Sequence, residues 1–238
     1  LISFSLSIVI AHDLLFSHDV RLYWIEKALL FYNDFFIVDD KTIKPEYPHF
    51  GTYLWGFIWQ VNFLDLEYFG RIIYLITYVF SIYYILNKIN FSKKYLKYFI
   101  FFLVIILTFK IKWFDGRQDL LIFSFNTFIF AYLYEVISNK SKKTIHLIGL
   151  IMTINLLLWT KNDSFLYVIT YLILVLIYLK NPEKLKLIIG ISIVLLIKIV
   201  FYKIYDVSLN PNLDTFEKNL FTHLSDIDLL HRLSQIFL

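Results

Sequence analysis

Side chains that could take part in catalysis lie in the polar stretches of this chain, between long apolar segments. The first stretch, residues 12–68, holds His18 and Asp19, and a later one holds Asp115 and Asp119. Carboxylates beside a membrane are costly unless they pair, bind a cation or act on a substrate. Asp is also a good helix N-cap, and its charge suits the positive end of the helix dipole. Helix capping is therefore the alternative to a catalytic role.

A third polar cluster, Lys161, Asn162 and Asp163, forms a turn with almost no linker between two apolar segments. The alternative to a functional role is that the Lys and the Asp end two helices and reach to water. Lys198 lies inside the last apolar segment, where a lysine either reaches to the membrane surface or meets a phosphate.

The composition indicates an integral membrane protein. Hydrophobic residues make up 59% of the chain and aromatic residues 20%, against roughly 45–50% apolar residues in soluble domains. The chain has no cysteine, which excludes disulfides and thiol chemistry. The net charge is +4, and most lysines lie in short loops, where they report topology. No basic helix or aromatic–basic motif lies outside the apolar segments, which argues against nucleic-acid binding.

The predicted fold class is all-α: a polytopic transmembrane helix bundle of about seven spans, with an outer-face loop that carries amphipathic juxtamembrane helices. A helix needs about 20 residues to cross about 30 Å of hydrocarbon. The first predicted span is short, and a signal-peptide core is the alternative. Because the sequence begins at Leu1 within an apolar run, we expect a piece of a longer protein. Spans are predicted near 1–11, 69–88, 97–113, 119–137, 145–160, 164–180 and 186–203.

The lysines predict the topology. They cluster in three alternating connections, around residues 88–97, 140–143 and 180–186. The positive-inside rule places these connections in the cytoplasm. The connections predicted to lie on the outer face are then 12–68, 114–118, 161–163 and the tail. We therefore predict a transmembrane domain over 1–203 and an outer-face segment over 204–238, in the inner membrane of a bacterium.

Two helices are predicted to lie along the outer surface. From Val20 to Tyr32, apolar residues recur at helical spacing at positions 22, 25, 29 and 32, with Arg21, Glu26 and Lys27 on the other side. Residues 50–64 are apolar, but at about 15 residues they are short for a span. Their tyrosine and tryptophans suit the headgroup region.

Several short motifs follow one another between residue 12 and about residue 170. They are His18-Asp19-Val20-Arg21-Leu22-Tyr23-Trp24 with Lys27-Ala28, Tyr47-Pro48-His49, Phe69-Gly70-Arg71, Gly116-Arg117-Gln118-Asp119 and Thr160-Lys161-Asn162-Asp163-Ser164. Taken in order, these motifs resemble the GT-C superfamily of polytopic glycosyltransferases, which includes protein O-mannosyltransferases, the aminoarabinose transferase of lipid A and bacterial Rgt-like enzymes. The sequence departs from the family pattern at His49, which replaces a Pro, at Asp163, which replaces a Glu, and at Ser164, which replaces a Gly.

The resemblance implies transfer of a sugar from a polyprenyl-phosphate donor to a lipid, glycan or protein acceptor, with inversion at the anomeric carbon. Asp19 is the expected general base, an effect worth about 10²- to 10⁴-fold in rate. Asp119 is the second expected catalytic carboxylate. Asp19 and Asp119 are also the candidate ligands of a divalent cation, Mg²⁺ or Mn²⁺, which some relatives use and others do not. Substrate contacts are expected from His18, Arg21, Trp24, Lys27, Tyr47, His49, Arg71, Arg117, Lys161 and Asp163.

Two other classes of function are compatible with a membrane helix bundle. A transporter or lipid flippase would line a path with its charges, and it favours Gly or Pro breaks and inverted repeats. Gly149 and Gly190 lie inside the predicted spans, Gly70 lies at the start of one, and no repeat is evident. A noncatalytic assembly subunit would present the outer loop to a partner, and it would tolerate the loss of Asp19.

Overall fold

A computed structural model describes residues 3, 5–8, 16, 18, 20–34, 48–61, 64–89, 91, 93–108, 115–138 and 143–204. Every regular element within these residues is a helix, which confirms the all-α prediction for this part of the chain. Three of the described helices are long and apolar enough to cross a membrane, as a membrane protein requires: Glu67–Lys88, Asp119–Ser138 and Pro182–Ile204.

The described chain contains a π-helical turn, Val20–Trp24, that continues into helix α1, Ile25–Asp34. The other helices, in chain order, are α2 (Phe50–Val61), α3 (Glu67–Lys88), α4 (Lys94–Thr108), α5 (Asp119–Ser138), α6 (Lys143–Leu158), α7 (Ser164–Tyr178) and α8 (Asn181–Ile204). Helices α1 and α2 have 10 and 12 residues, too few for a crossing that needs about 20.

The helices agree with the predicted segments, although their ends differ by several residues. The helices α3, α5 and α8 are the three that could cross a membrane. The helices α4, α6 and α7, with 15, 16 and 15 residues, match the other predicted spans but are shorter, so a bundle of seven spans stays a prediction. Of the first predicted span, residues 3 and 5–8 are described as helical. Residues 205–238 lie outside the described part.

Helix α5 lies at the centre of the described bundle. It packs against α3 and α6 along its length and also contacts α7, while α4 packs on α3 and α8 packs on α6. The interior is filled by fully buried apolar side chains such as Leu75, Leu121 and Ile154. The outward faces carry large apolar side chains, including Ile106 and Leu166, that are about 70% exposed. Such a surface suits lipid and not water.

One end of the bundle is held by a carboxylate that lies between two basic side chains. The Glu135 carboxylate near the end of α5 lies 3.1 Å from the Lys88 ammonium, where α3 ends, and 3.5 Å from Nε2 of His146, where α6 begins. We call this the lysine end. The contact brings the lysine-bearing connections after α3 and after α5 to the same end, as the charge pattern predicts.

The opposite end is covered by α1 and α2. Helix α2 packs between α1 and α3, and the backbone N–H of Phe50 donates to the carbonyl of Trp159 at 3.0 Å. The hydroxyl of Tyr74 on α3 donates to the carbonyl of Gly51. The two short helices that the sequence predicts are therefore present, and these hydrogen bonds hold α2 to the bundle.

The first of these helices buries a different side from the predicted apolar one. Leu29, expected on the apolar side, is 43% exposed, whereas Lys27, expected on the polar side, is only 1% exposed. Val20, Trp24, Ala28 and Phe31 are buried in its place. Ala28 and Phe31 on this face lie against Gly56 of α2, so the contact with α2 decides which side of α1 is buried.

Candidate functional site

The scaffold of the site is the indole of Trp55, which is fully buried between two glycines. A Cβ at Gly70 would lie 2.2 Å from the Trp55 ring, and a Cβ at Gly116 would lie 2.5 Å from it. Gly116 also has a φ of +102°, a conformation that side-chain-bearing residues rarely adopt. These glycines let α2 dock against both the start of α3 and the turn at residues 115–118.

Gln118 fixes the position of that turn. Its amide nitrogen donates to the Tyr74 hydroxyl at 3.1 Å and to the Gly116 carbonyl at 3.4 Å. Its backbone carbonyl accepts the first hydrogen bond of α5, from the N–H of Ile122. The amide group of Gln118 lies against Gly51, where a Cβ would come within 1.4 Å of the amide oxygen and would displace this side chain. The side chains on either side of Gln118, Arg117 and Asp119, are thereby held on one surface.

A cavity of about 290 Å³ lies beside this turn, at the end of the bundle opposite the lysine end. Three segments that are far apart in the sequence line it. Five of the lining residues are among those predicted as substrate contacts or catalytic groups. The lining consists of Tyr23, Trp24, Arg117, Gln118, Asp119, Lys161, Asn162 and Asp163.

Lys161 joins two carboxylates in this cavity. Its ammonium donates to Oδ1 of Asp119 at 3.1 Å and lies 3.5 Å from Oδ2 of Asp163. Partial burial lowers the pKa of Lys161, but the hydrogen bond and the charge of Asp119, together with Asp163, outweigh it and raise the pKa above 10.5. The ammonium is therefore protonated throughout the physiological range. The side chains of Asp119 and Asp163 remain 45% and 71% exposed, so both are accessible to a ligand.

Arg117 places a second positive charge at the cavity. Its Nε lies 3.4 Å from Oδ2 of Asp115, and its backbone N–H donates to Oδ1 of the same carboxylate at 3.2 Å. Asp115 is buried, so it anchors the guanidinium and does not face the cavity. The cavity thus combines two fixed cations with two accessible carboxylates.

Helix capping does not account for Asp163. It occupies the N-cap position of α7 but makes no side-chain capping hydrogen bond, and its carboxylate faces Lys161 instead. Asp119 is the first residue of α5, where its charge also suits the helix dipole. Both the capping interpretation and the functional one therefore remain for Asp119.

Two predicted substrate contacts are buried away from the cavity lining. Arg71 donates from Nε and Nη2 to both carboxylate oxygens of Glu67, at 2.9 and 3.0 Å, and its guanidinium lies 4.7 Å from the ring centroid of Phe16. His49 is 5% exposed and packs edge-on against Phe31. Both side chains therefore take part in packing and not in the lining of the cavity.

Four other predicted residues also lie outside the lining. Lys27 is buried in α1, and His18 is exposed. The exposed side chain of Arg21 donates from Nε to the carbonyl of Phe16 at 2.9 Å. Lys198 donates to the carbonyl of Leu158 at 2.6 Å, with its ammonium 5.7 Å from the ring centroid of Trp159. Its role as a phosphate contact stays a prediction.

Asp19 and Tyr47 lie outside the described residues, so the geometry of the expected general base stays a prediction. Within the described part of the chain, no group of three or more His, Asp or Glu side chains is close enough to hold a metal ion. That part supplies one carboxylate of the predicted metal pair, Asp119, which is already in contact with the ammonium of Lys161. The Mg²⁺ or Mn²⁺ site also stays a prediction.

Three of the lining residues, Tyr23, Gln118 and Asn162, are not among the site residues predicted from the sequence. All three lie inside motifs that resemble the GT-C superfamily. Gln118 and Asn162 carry no charge, and a neutral amide in a polar turn gives a weaker sequence signal than the charged side chains beside it. The buried amide of Gln118 acts through tertiary contacts with Tyr74 and Gly51, which no local pattern reveals.

No protein-family model, curated protein or solved structure matches this chain. The likeness to GT-C glycosyltransferases therefore stays a prediction that rests on the order of short motifs. A function has to be inferred from the cavity and its side chains.

Proposed function

We propose that this protein is a multi-pass membrane glycosyltransferase that moves a sugar from a polyprenyl-phosphate donor to an acceptor on the outer face of the membrane. The observation that supports this most is the convergence of Trp24, Arg117, Asp119, Lys161 and Asp163 on one cavity. The cavity lies at the end of the bundle opposite the lysine end. If the positive-inside rule holds, that end faces outward, where lipid-linked donors are the available source of activated sugars.

The cations of the cavity suit the phosphate of the donor. When the glycosidic bond to phosphate breaks, negative charge grows on the leaving phosphate oxygen. Preorganised positive groups lower the energy of that state. In this proposal Lys161 and Arg117 supply them, and their own carboxylate partners keep both side chains in position.

The remaining lining suits a sugar. Tyr23 and Trp24 present aromatic side chains, and Gln118 and Asn162 present amides. Aromatic rings contact the apolar face of a sugar, while amides and carboxylates bind its hydroxyls. At about 290 Å³, the cavity is at the lower end of the roughly 300–1,000 Å³ of small-molecule sites. This size favours a single sugar unit over an oligosaccharide.

The reaction is a single displacement. The acceptor oxygen or nitrogen attacks the anomeric carbon, the bond from that carbon to the phosphate oxygen breaks, and the bonding electrons leave with the phosphate. A carboxylate takes the proton that the acceptor loses. Asp19 is the proposed base, and Asp119 orients the acceptor. Asp19 directly precedes Val20, whose side chain packs against Gly116 in the turn that carries Arg117.

The test is sugar transfer by membranes that carry the protein, supplied with a panel of polyprenyl-phosphate sugars and candidate acceptors. We expect Asp119→Asn to lower transfer by about 100-fold, since it removes a carboxylate from the reacting centre and frees Lys161 to move. Asp65→Asn is the matched control. Asp65 is an exposed carboxylate with a φ of +50°, which Asn also tolerates, and it is absent from the cavity lining.

Loss of transfer in Asp119→Asn, with normal transfer in Asp65→Asn at equal expression, supports the proposal. Equal transfer by both variants contradicts the assignment of the cavity as the active site. Absence of transfer by the unmodified protein with every donor and acceptor pair contradicts the glycosyltransferase itself, and transport of the same lipids across vesicles then becomes the next assay.

A further inference from the structure

A second cavity, of about 510 Å³, lies between α3 and α4, away from the candidate active site. Its walls are almost entirely apolar or aromatic, and Ser3 also contributes. Several of the wall residues are half-exposed on the outward face of the bundle. We call this cavity the α3–α4 groove. The side chains that shape it are Ile76, Phe80, Tyr83, Tyr98, Phe101 and Phe102.

The length of the groove matches part of one membrane leaflet. From Ile76 to Tyr83 the helix advances about 10 Å, at about 1.5 Å per residue. Half of the hydrocarbon core is about 15 Å thick. Tyr83 lies nearer the lysine end than Ile76, so the groove runs from the level of the headgroups into the acyl-chain region. An apolar groove at this depth accommodates an acyl chain.

One lysine side chain, Lys97, lies at the mouth of the groove that is nearest to the lysine end of the bundle. The ammonium of Lys97 lies 5.1 Å from the ring centroid of Tyr83 and 5.9 Å from that of Tyr98, so it lies over two of the wall residues. It also donates to the side-chain oxygen of Asn87. These contacts hold the charge at the mouth of the groove, where the headgroup of a lipid with its chain in the groove would lie.

The chain segment around this mouth is rich in lysine. Residues 86–98 contain four lysines and no Asp or Glu. Lys88 is paired with Glu135 on α5, whereas Lys93 and Lys94 are exposed beside the start of α4. Clusters of lysine next to an apolar membrane surface attract anionic lipid, at about 1 kcal/mol per lysine.

We propose that the α3–α4 groove binds one anionic phospholipid, with an acyl chain against Phe80 and Phe102 and the phosphate against Lys97. Lys93 and Lys94 add to the positive field. The site is independent of the proposed transfer reaction, because it lies between other helices and holds a lipid that is not consumed.

The experiment counts bound lipid by native mass spectrometry of the full chain in detergent, titrated with phosphatidylglycerol or with phosphatidylcholine of the same chain length. Three proteins are compared: the unmodified chain, Lys97→Gln and Lys186→Gln. Lys186 is an exposed lysine on α8 at the same end of the bundle, and it is absent from the groove lining. Soluble glycerol phosphate serves as a competitor without an acyl chain.

We expect one phosphatidylglycerol to bind more tightly than phosphatidylcholine. Lys97→Gln should weaken it about fivefold, as the loss of one lysine beside an anionic headgroup predicts, while Lys186→Gln leaves it unchanged. Glycerol phosphate should not compete, because the acyl chain supplies part of the binding.

Three results would overturn the proposal. Equal binding of the two lipids would show that the groove does not select an anionic headgroup. If both substitutions weakened the binding of phosphatidylglycerol equally, the preference for this lipid would come from the overall charge of the lysine end and not from the groove. Displacement by glycerol phosphate alone would mark a phosphate site that does not need the groove. None of these outcomes bears on sugar transfer, so the two proposals fail separately.

Discussion

At the scale of single residues, the central feature of the candidate active site is Lys161. Its ammonium contacts the carboxylates of Asp119 and Asp163, and these three residues come from two separate segments of the chain. Without the lysine, two carboxylates would face each other at the same cavity and repel. The lysine therefore has two effects: it holds the site together, and it offers a positive charge to an incoming phosphate.

Replacing Lys161 by Met should lower sugar transfer by about 100-fold, as removal of one preorganised charge-stabilising group typically does. Lys161→Arg keeps the charge but changes its shape, so its loss should be smaller. Lys203→Met is the control, because Lys203 is an exposed lysine in the last turn of α8. Transfer rates at equal expression measure the effect, and an equal loss in the control would contradict a specific role.

The raised pKa of Lys161 predicts a particular pH profile. Burial disfavours the charged form, but Asp119 and Asp163 overcome this effect, so the folded pKa lies above the usual 10.5. The charge is then complete at lower pH and is lost only as the pH rises through that raised value. The ratio of transfer by the unmodified protein to transfer by Lys161→Met should stay constant between about pH 6 and pH 9. A fall in this ratio within the range would contradict the geometry.

At the scale of helices, the site depends on how α2 docks against the start of α3 and the turn before α5. Trp55 fills the space between Gly70 and Gly116, and Gln118 connects the turn to Tyr74 on α3. In lipid, close packing and hydrogen bonds drive the association of helices, and glycines allow the close approach. Two short helices that do not cross the membrane thereby set the position of the cavity.

Gly116→Ala should destabilise the protein, because the Cβ would lie 2.5 Å from the Trp55 ring on a backbone with a φ of +102°. Thermal unfolding in detergent should show a lower midpoint, by roughly 2–4 °C for each kcal/mol lost. Gly149→Ala is the control. Its Cβ would meet the outer part of the Tyr132 ring, and its backbone has no positive φ, so a smaller shift is expected. Equal decreases of the unfolding midpoint in the two variants would show that the Trp55 contact and the positive φ of Gly116 add nothing to the loss of stability.

At the scale of the whole molecule, the two ends of the bundle differ in charge chemistry. One end holds Lys88, Glu135 and His146 with the nearby lysine-bearing connections, and the other holds the cavity with its paired acids and bases. In a membrane this difference predicts the orientation of the bundle, because positively charged loops stay in the cytoplasm. The cavity would then face outward.

Cysteine labelling tests this orientation, since the chain has no cysteine of its own. Leu64→Cys places a thiol at an exposed position before α3, and Ser138→Cys places one at the exposed end of α5. A membrane-impermeable maleimide should label position 64 in intact cells and position 138 only after permeabilisation. The reverse pattern would invert the topology and would move the cavity to the cytoplasm.

The class of the molecule and most of its helices follow from the residues alone. Long apolar segments between polar stretches predict membrane helices, because backbone groups in lipid must bond internally, and α3, α5 and α8 are long and apolar enough to be such helices. The short helices near 20–32 and 50–64 were predicted from apolar spacing and from length. Charged side chains in the polar turns also indicated Asp119, Lys161 and Asp163 as candidate site residues.

Which residues meet, in contrast, is settled by the folded arrangement of the helices. Helix α1 packs against α2 through Ala28 and Phe31, so that Lys27 is buried and Leu29 exposed, and periodicity alone does not reveal which side of a helix meets a partner. Arg71 carries the same charge as Lys161, yet Glu67, one turn before it on α3, binds it away from the cavity lining. The position of Gln118 depends on the space left by Gly51 and on the hydroxyl of Tyr74. Contacts between distant segments depend on helix rotation and packing, and a single sequence does not encode these locally.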